Sequence, residues 1–519
     1  KTVESRPEEP FWKIETRKSD PKDYWEIARG WQDMAAFMAS EGEDRDLVLK
    51  KVLQNLDSHP CPNGLGWCCS LDVAIRAVNI MIMYEISRSE PLKAHLLEHY
   101  DFLRKMLWLS KNAVRNNHYL GELAAMALIA ECLDLSDTAG LKKKLETEFS
   151  RQFYSDGTNI EQSMRYHAFS LQFALLARFF LHIDLPFLEH ALDFVLMMRK
   201  PDGTWPSFGD DDMGCVFRLN AQPVTDDYEA LLGFLGLIYK DGRAKYAIKT
   251  LPPEPKLFIE KAADEWNDIE ETEPKLSKLF PDGGFWVTRT RWDKDASWFM
   301  VKFGPHKWHA HADIFHMELS IGGKPILVDS GTYRYNNVPE ERQYFRSTAA
   351  HNCMVFDDTD QSKQLTTFRW GKTAKVTDRQ IQEKKGRFSF CGSHDGYADK
   401  GIRYYREIDG RKDLKDLLMR ETLDGKAHGE ATVYWHFAPT IGLVRDGEDY
   451  RIISGGQPIG LFRYDSNDKA EAEIMETPYS AHYGHLGNKK TIAVRAYKQS
   501  LQPLIIESHF IFWADGEHE

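Results

Sequence analysis

The 519-residue chain has no CxxC pair, no excess of basic charge and no apolar stretch long enough to cross a bilayer. Its seven cysteines, Cys61, Cys68, Cys69, Cys132, Cys215, Cys353 and Cys391, are scattered and odd in number. That excludes a disulfide scaffold and reads as buried free thiols, which suit a reducing compartment and are tolerated in a periplasm. The formal net charge of −12 removes any global attraction to nucleic acid or to an anionic membrane. A polyanion would have to be met by a local basic cleft. The most apolar run, Ala168 to Ile183, is interrupted by Gln172, Arg178 and His182, so a buried helix is predicted there and no membrane insertion. Lys1 to Pro10 carry charge and proline without an apolar signal core; the expectation is that an export signal has been removed or never existed. No repeat of solenoid length is visible.

What the chain does have is length and hydrophobic content. With 42% hydrophobic and 28% charged residues it reads as a folded protein, too long for one ordinary core, so two or more domains are expected. Aromatic residues make up 12% and serve equally as core or as stacking surfaces for sugars.

From about Tyr24 to about Tyr246 apolar residues recur at helical spacing between short Pro, Gly or Asp breaks. Helices are predicted over Val73 to Ile86, Leu120 to Leu133, Gln162 to Ile183 and Phe187 to Met198. Thr158 and Glu161 fit a Thr-x-x-Glu capping box after the Asp156-Gly157 turn. A helix continuing from there would put Tyr166 on a polar stripe with Gln162, Ser163 and Ser170. Between Leu251 and Pro281 the chain turns proline-rich and acidic, the composition of a connector. The expected domains are therefore 1–265, all helical, and 266–519.

Beyond the connector the period changes to two: Phe315, Met317, Leu319 and Ile321 alternate with His316, Glu318 and Ser320. Gly322-Gly323 supplies a hairpin turn, and Pro325 to Val328 the returning strand. Ala431 to Phe437, Tyr450 to Ser454, Thr491 to Tyr497 and Pro503 to Trp513 also read as strands, giving an antiparallel β domain.

Three constellations could carry chemistry. The first is His309-Ala310-His311-Ala312-Asp313, with Asp329 and His351 following. Two histidines at i and i+2 on a strand share a face, and with a carboxylate they have the composition of a Zn²⁺ site with an open position; hydrogen-bonded polar residues at strand ends are the other reading. The second is Asn116-Asn117-His118, which either caps the helix behind it or presents donors to a carboxylate. The third is Arg165-Tyr166-His167, either half-buried core or a phenol placed for proton transfer. The acidic run Phe208 to Asp212 lacks calcium-loop spacing and reads as a solvated turn.

In order and spacing these segments resemble the heparinase II/III superfamily of polysaccharide lyases. The resemblance lies in Asn116-Asn117-His118, EQSMRYH at 161–167, HAHAD at 309–313, ILVDSGTYRY at 326–335 and YFRSTAAHN at 344–352. Shorter echoes are SLDVAIRAVN at 70–79, FGDDDMG at 208–214 and HDGY at 394–397. The resemblance implies an N-terminal incomplete (α/α) toroid followed by a C-terminal antiparallel β-sandwich. It implies a structural Zn²⁺ on His311, Asp329 and His351, leaving His309 for catalysis. It gives Asn117 and His118 to a uronate carboxylate, Tyr166 to proton transfer, and Tyr335 to the neighbourhood of the leaving group. Arg165 and Arg346, with Arg342 and Lys307, are candidates for further acidic groups of the substrate; surface ion pairing is their other use.

The implied activity is β-elimination of an acidic polysaccharide, with heparan sulfate, chondroitin or hyaluronan as the expected polymer. Alginate lyase, uronate C5-epimerase and a non-catalytic polysaccharide-binding protein are the alternatives. Hydrolysis is disfavoured because no carboxylate pair is assigned to flank the bond. Polymer degradation suggests a periplasmic or secreted setting, with the cytoplasm as the alternative.

Overall fold

The computed structural model describes residues 8–14, 20–219 and 225–513. It divides into two compact units. The first comprises Lys1–Glu161, Arg165–Val195 and Met213–Thr272; the second comprises Gln162–Met164, Leu196–Asp212 and Glu273–Glu519. Two short segments from the helical half of the sequence thus belong to the sheet unit. The main change falls at Thr272/Glu273. The preceding stretch is not plain connector, because it folds two short helices, Pro255–Phe258 and Ala262–Asp268.

In the first unit the regular elements among the described residues are helices. Helices Ser70–Ser87 and Asn117–Cys132 are buried almost all round, as an apolar helix without a polar face must be. The segments expected over Val73 to Ile86 and Phe187 to Met198 are helical throughout; the one over Leu120 to Leu133 ends with its helix at Cys132, and the one over Gln162 to Ile183 is helical over Met164–Phe180. Asn116 caps its helix, its side chain accepting from the His118 N–H at 3.1 Å.

The capping box at Thr158 is not formed. The Thr158 hydroxyl bonds Asp156 Oδ1 at 2.6 Å instead, and Gln162 has φ +56°, outside the helical region. The helix therefore starts at Met164. Gln162 and Ser163 are not on it, and the predicted polar stripe reduces to Tyr166 and Ser170. No helix among the described residues is long and apolar enough to cross a membrane.

The second unit contains three antiparallel sheets. A five-stranded meander runs in sequence order through Ser277–Phe280, Phe285–Arg289, Trp298–Lys302, Met317–Ile321 and Lys324–Leu327. The predicted Gly322-Gly323 turn joins the last two, with φ of +54° and +80°, the pair of positive values a type I′ hairpin requires. An eight-stranded sheet has the order Ile441–Asp446, Asp449–Ser454, Gln457–Ser466, Leu504–Phe512, Asp416–Gly425, Ile402–Arg411, Arg387–His394, Val376–Lys384. A four-stranded sheet has the order Ala470–Tyr479, Gly487–Lys498, Gly429–His436, Met354–Phe356.

One apolar core joins all three, since Trp286, Phe388 and Trp435, each from a different sheet, belong to the same buried cluster. The Trp286 and Phe388 rings lie 4.9 Å apart. Each such aromatic contributes about 1.5–3 kcal/mol by burial, so the loops at the strand ends rest on a stiff base.

Candidate functional site

In the sheet unit, HAHAD does not lie on a strand. It sits in the loop between Trp298–Lys302 and Met317–Ile321, and the ladder resumes only where the Lys302 N–H donates to His316 O at 2.9 Å. The loop is nevertheless fixed. Lys302 Nζ clasps both oxygens of Asp313 at 2.7 and 2.6 Å. The Ala312 N–H donates to Arg346 O, and Gln361 bonds both backbone groups of Ile314.

Asp329 follows the strand Lys324–Leu327. Its Oδ1 accepts from the Gly331 N–H at 2.8 Å. His351 follows a 3₁₀ turn, Thr348–Ala350, and its Nδ1 bonds Ser347 O at 2.7 Å. Asn352 ties the two segments together, its amide donating to Met317 O and Val328 O while its oxygen accepts from the His436 N–H.

His311, Asp329 and His351 are buried, and one ligand atom from each lies within 4.8 Å of the others. His311 Nδ1 and His351 Nε2 are 3.1 Å apart. Asp329 Oδ2 is 3.4 Å from His351 Nε2. His311 directs its other nitrogen, Nε2, to Asp210 Oδ1 at 3.0 Å. With their outer N–H groups donated to a carboxylate and a carbonyl, both rings turn lone pairs inward.

Asp329 Oδ2 is a buried acceptor with no hydrogen-bond partner. Burial pushes the Asp329 carboxyl well above the ordinary range, and pushes the imidazoles of His311 and His351 down, the latter to about 3. Two neutral imidazole nitrogens and a buried carboxyl oxygen that gives up its proton on metal binding are a donor set for a divalent cation. His316, which sequence reading placed only in the strand alternation, stands behind Asp329 with Nε2 3.6 Å from Oδ2. Its Nδ1 accepts from the Asn352 N–H.

His309 is outside the triad. Its Nδ1 bonds Asp210 Oδ2 at 2.9 Å, which puts the basic lone pair on Nε2. Asp210 is the residue sequence reading missed. The run at 208–212 is not a solvated turn, because Asp210 is 2% exposed. Arg342 grips it with both terminal guanidinium nitrogens, at 2.5 and 2.8 Å. Burial opposes ionisation, but Arg342 and the bonds from both histidines hold the Asp210 carboxyl well below its usual range.

Tyr335 is largely buried, its ring 5.0 Å from Phe368 and 5.3 Å from Tyr483. Arg342 stacks over it at 4.8 Å. Arg346 is buried too: it donates to Thr366 O at 2.7 Å and covers Trp370 at 4.1 Å. Neither Arg342 nor Arg346 is a surface ion-pair residue; both are built into the loop architecture.

In the helical unit Asn117 is 1% exposed. Its backbone N–H and its side-chain amide donate to the two oxygens of Glu161 at 2.6 and 2.7 Å. That contact explains why Glu161 does not turn back to cap its own helix. His118 is half-buried beside it. Tyr166 is 8% exposed and lies edge-on to Phe169 at 6.3 Å. Arg165 is buried against Asp227 at 2.8 Å and stacked over Tyr228. His167 donates Nε2–H to Gly157 O, and burial lowers its pKa to about 4.

Residues 272–509 match the family described as Heparinase II/III-like, C-terminal. A heparin-sulfate lyase of Bacteroides stercoris is 28% identical over 275 residues, covering 49% of this chain and 38% of the relative. One of Pedobacter heparinus is 26% identical over 243 residues, covering 44% and 33%. The chain thus spans little more than a third of these relatives. Among solved structures, heparinase III aligns with a TM-score of 0.75 at 15% identity, over 96% of this chain and 79% of that one. A heparan sulfate lyase of Pedobacter heparinus aligns at 0.66 and 18%, over 96% and 78%. The fold class expected from sequence, helical toroid followed by antiparallel β-sandwich, is the one these structures share. The likeness to the heparinase II/III-like family thus rests on residues 272–509, and the likeness to these solved structures is one of fold.

Proposed function

We propose that the chain is a polysaccharide lyase that cleaves a uronic-acid-containing glycosaminoglycan by β-elimination, in a periplasmic or secreted setting. The observation that carries this reading is the pairing, in one heparinase II/III-like domain, of a buried His311–Asp329–His351 triad with a separate imidazole, His309. The two relatives that match by sequence are heparin-sulfate lyases, which favours heparan sulfate over chondroitin, hyaluronan or alginate.

The triad fits Zn²⁺, which would supply fixed positive charge that holds the loop ends of the sheet unit in place. A uronate C5 proton is weakly acidic, so the sugar's carboxylate has to be neutralised as the enolate-like intermediate forms. Asn117 and His118 take that role. Tyr166 removes the C5 proton and returns it to the C4 oxygen as the glycosidic bond breaks, which is geometrically consistent for glucuronate, where both lie on one face. For iduronate they lie on opposite faces, and His309 Nε2 acts as base. Tyr335 borders the leaving sugar. Arg165 and Arg346 act as buried supports rather than direct contacts.

The test is a panel of heparan sulfate, chondroitin, hyaluronan and alginate incubated with the wild type and with Tyr166→Phe. Ultraviolet-absorbing 4,5-unsaturated ends and shortened chains are expected from the wild type alone. Unchanged chain length and absorbance with inverted C5 would identify an epimerase. Binding without turnover of any polymer would identify a carbohydrate-binding protein.

A further inference from the structure

We infer that Asp210 is a positioning residue that sets two imidazoles at once, His309 for proton transfer and His311 for the metal. The inference rests on the lyase reading for the role of His309, and on the triad alone for the role of His311.

The two carboxylate oxygens are divided between the two rings. Oδ2 takes His309 through Nδ1 at 2.9 Å, and Oδ1 takes His311 through Nε2 at 3.0 Å. An ionised carboxylate only accepts, so each of these nitrogens carries the hydrogen. The rings are thereby held in opposite tautomers, with lone pairs on His309 Nε2 and His311 Nδ1. The second of these faces His351 Nε2 across 3.1 Å.

The carboxylate is held as firmly as the rings. Arg342 grips both oxygens, and its Nε and Nη2 also donate to Thr367 O at 3.1 and 3.0 Å. The Asp210 N–H donates to His309 O at 2.9 Å, and the Ser163 hydroxyl to Asp210 O at 2.6 Å. The chain reaches this position through Gly209 at φ +71°, where a Cβ would lie 2.7 Å from Gln162 O and 2.9 Å from His309 O. A carboxamide cannot replace this group: it has one acceptor, so one of the two imidazoles would have to change tautomer or lose its bond.

The experiment is Asp210→Asn, read by kcat and KM on the best polymer, by bound metal, and by ¹H–¹⁵N spectra of the imidazoles. Outer-shell partners of metal ligands are worth about 10–100-fold in affinity or activity, and losses of that size are expected in both zinc affinity and kcat. KM should stay within about threefold, and His309→Ala added to Asp210→Asn should cost little more than either alone, since residues acting as a unit are not additive. Arg342→Lys, which keeps the charge but not the fork, should shift the same readings less.

Wild-type kcat and zinc affinity retained in Asp210→Asn, or multiplicative effects of Asp210→Asn and His309→Ala, would overturn the inference. If Asp210→Asn does not fold, the wild-type spectrum decides: opposite tautomers on His309 and His311 support it, and a shared tautomer overturns it. If the wild type turns over no uronate polymer, the lyase reading fails separately. The spectra and zinc titrations of the two proteins then still decide whether Asp210 sets the rings.

Discussion

His311 Nδ1 and His351 Nε2 face each other across 3.1 Å, while each ring donates its N–H outward, to Asp210 and to Ser347 O. Two lone pairs so placed repel unless a cation lies between them. One zinc per chain is therefore expected by elemental analysis, and His311→Ala or Asp329→Asn should abolish it. A ligand present at 1,000 times its Kd stabilises by about 4 kcal/mol. Chelation should lower Tm accordingly, and an unchanged Tm with no bound metal in active protein would remove the metal from the account.

Gly209 tests the placement of Asp210 without touching its carboxylate. A Cβ at this position meets backbone on two sides, and backbone cannot rotate away as a side chain can. Gly209→Ala should lower zinc occupancy and kcat together, with a stability loss of about 1–3 kcal/mol from overpacking and the positive φ. Chemical denaturation and metal analysis check both halves.

How much of this was legible in the sequence depends on the range of the contacts. Helix Phe187–Met198 and the Gly322-Gly323 hairpin follow from local patterns, and the structure has them where the pattern puts them. The Thr158 box satisfies the local rule but loses to Glu161 reaching Asn117, 44 residues away. HAHAD reads as strand because an apolar alternation begins just after it; the clasp of Lys302 on Asp313 keeps it a loop. The ligand set His311, Asp329 and His351 follows from the family resemblance, since composition alone leaves hydrogen-bonded polar residues at strand ends open as well. Asp210 could not be separated from a solvated acidic turn, because its partners stand 99, 101 and 132 residues away.

Asn117 and Glu161 provide a test in the helical unit. Glu161→Gln keeps the shape but weakens two charge-assisted hydrogen bonds, each worth about 1.5–3 kcal/mol. A loss of about 1–3 kcal/mol in denaturant unfolding is expected. Under the lyase reading kcat should fall with it, because Asn117 is then no longer held.

His167 makes stability depend on pH. Its pKa in the fold is lowered to about 4 by burial, below the ordinary value near 6.5 of the unfolded chain. The unfolded state therefore binds the extra proton first. The stability this group contributes is complete above about pH 6.5 and is lost as pH falls through about 4. The span corresponds to roughly 3 kcal/mol at most. Urea unfolding at pH 7 and pH 4.5 should show the slope, and His167→Gln, which keeps a donor for Gly157 O, should flatten it.

Elimination is tested most directly by the masses of the products from a defined uronate oligosaccharide. The account requires two fragments whose masses sum to that of the parent, one bearing the unsaturated ring, and no such fragments with Tyr166→Phe. Fragments that together exceed the parent by one water would mean hydrolysis and would contradict it.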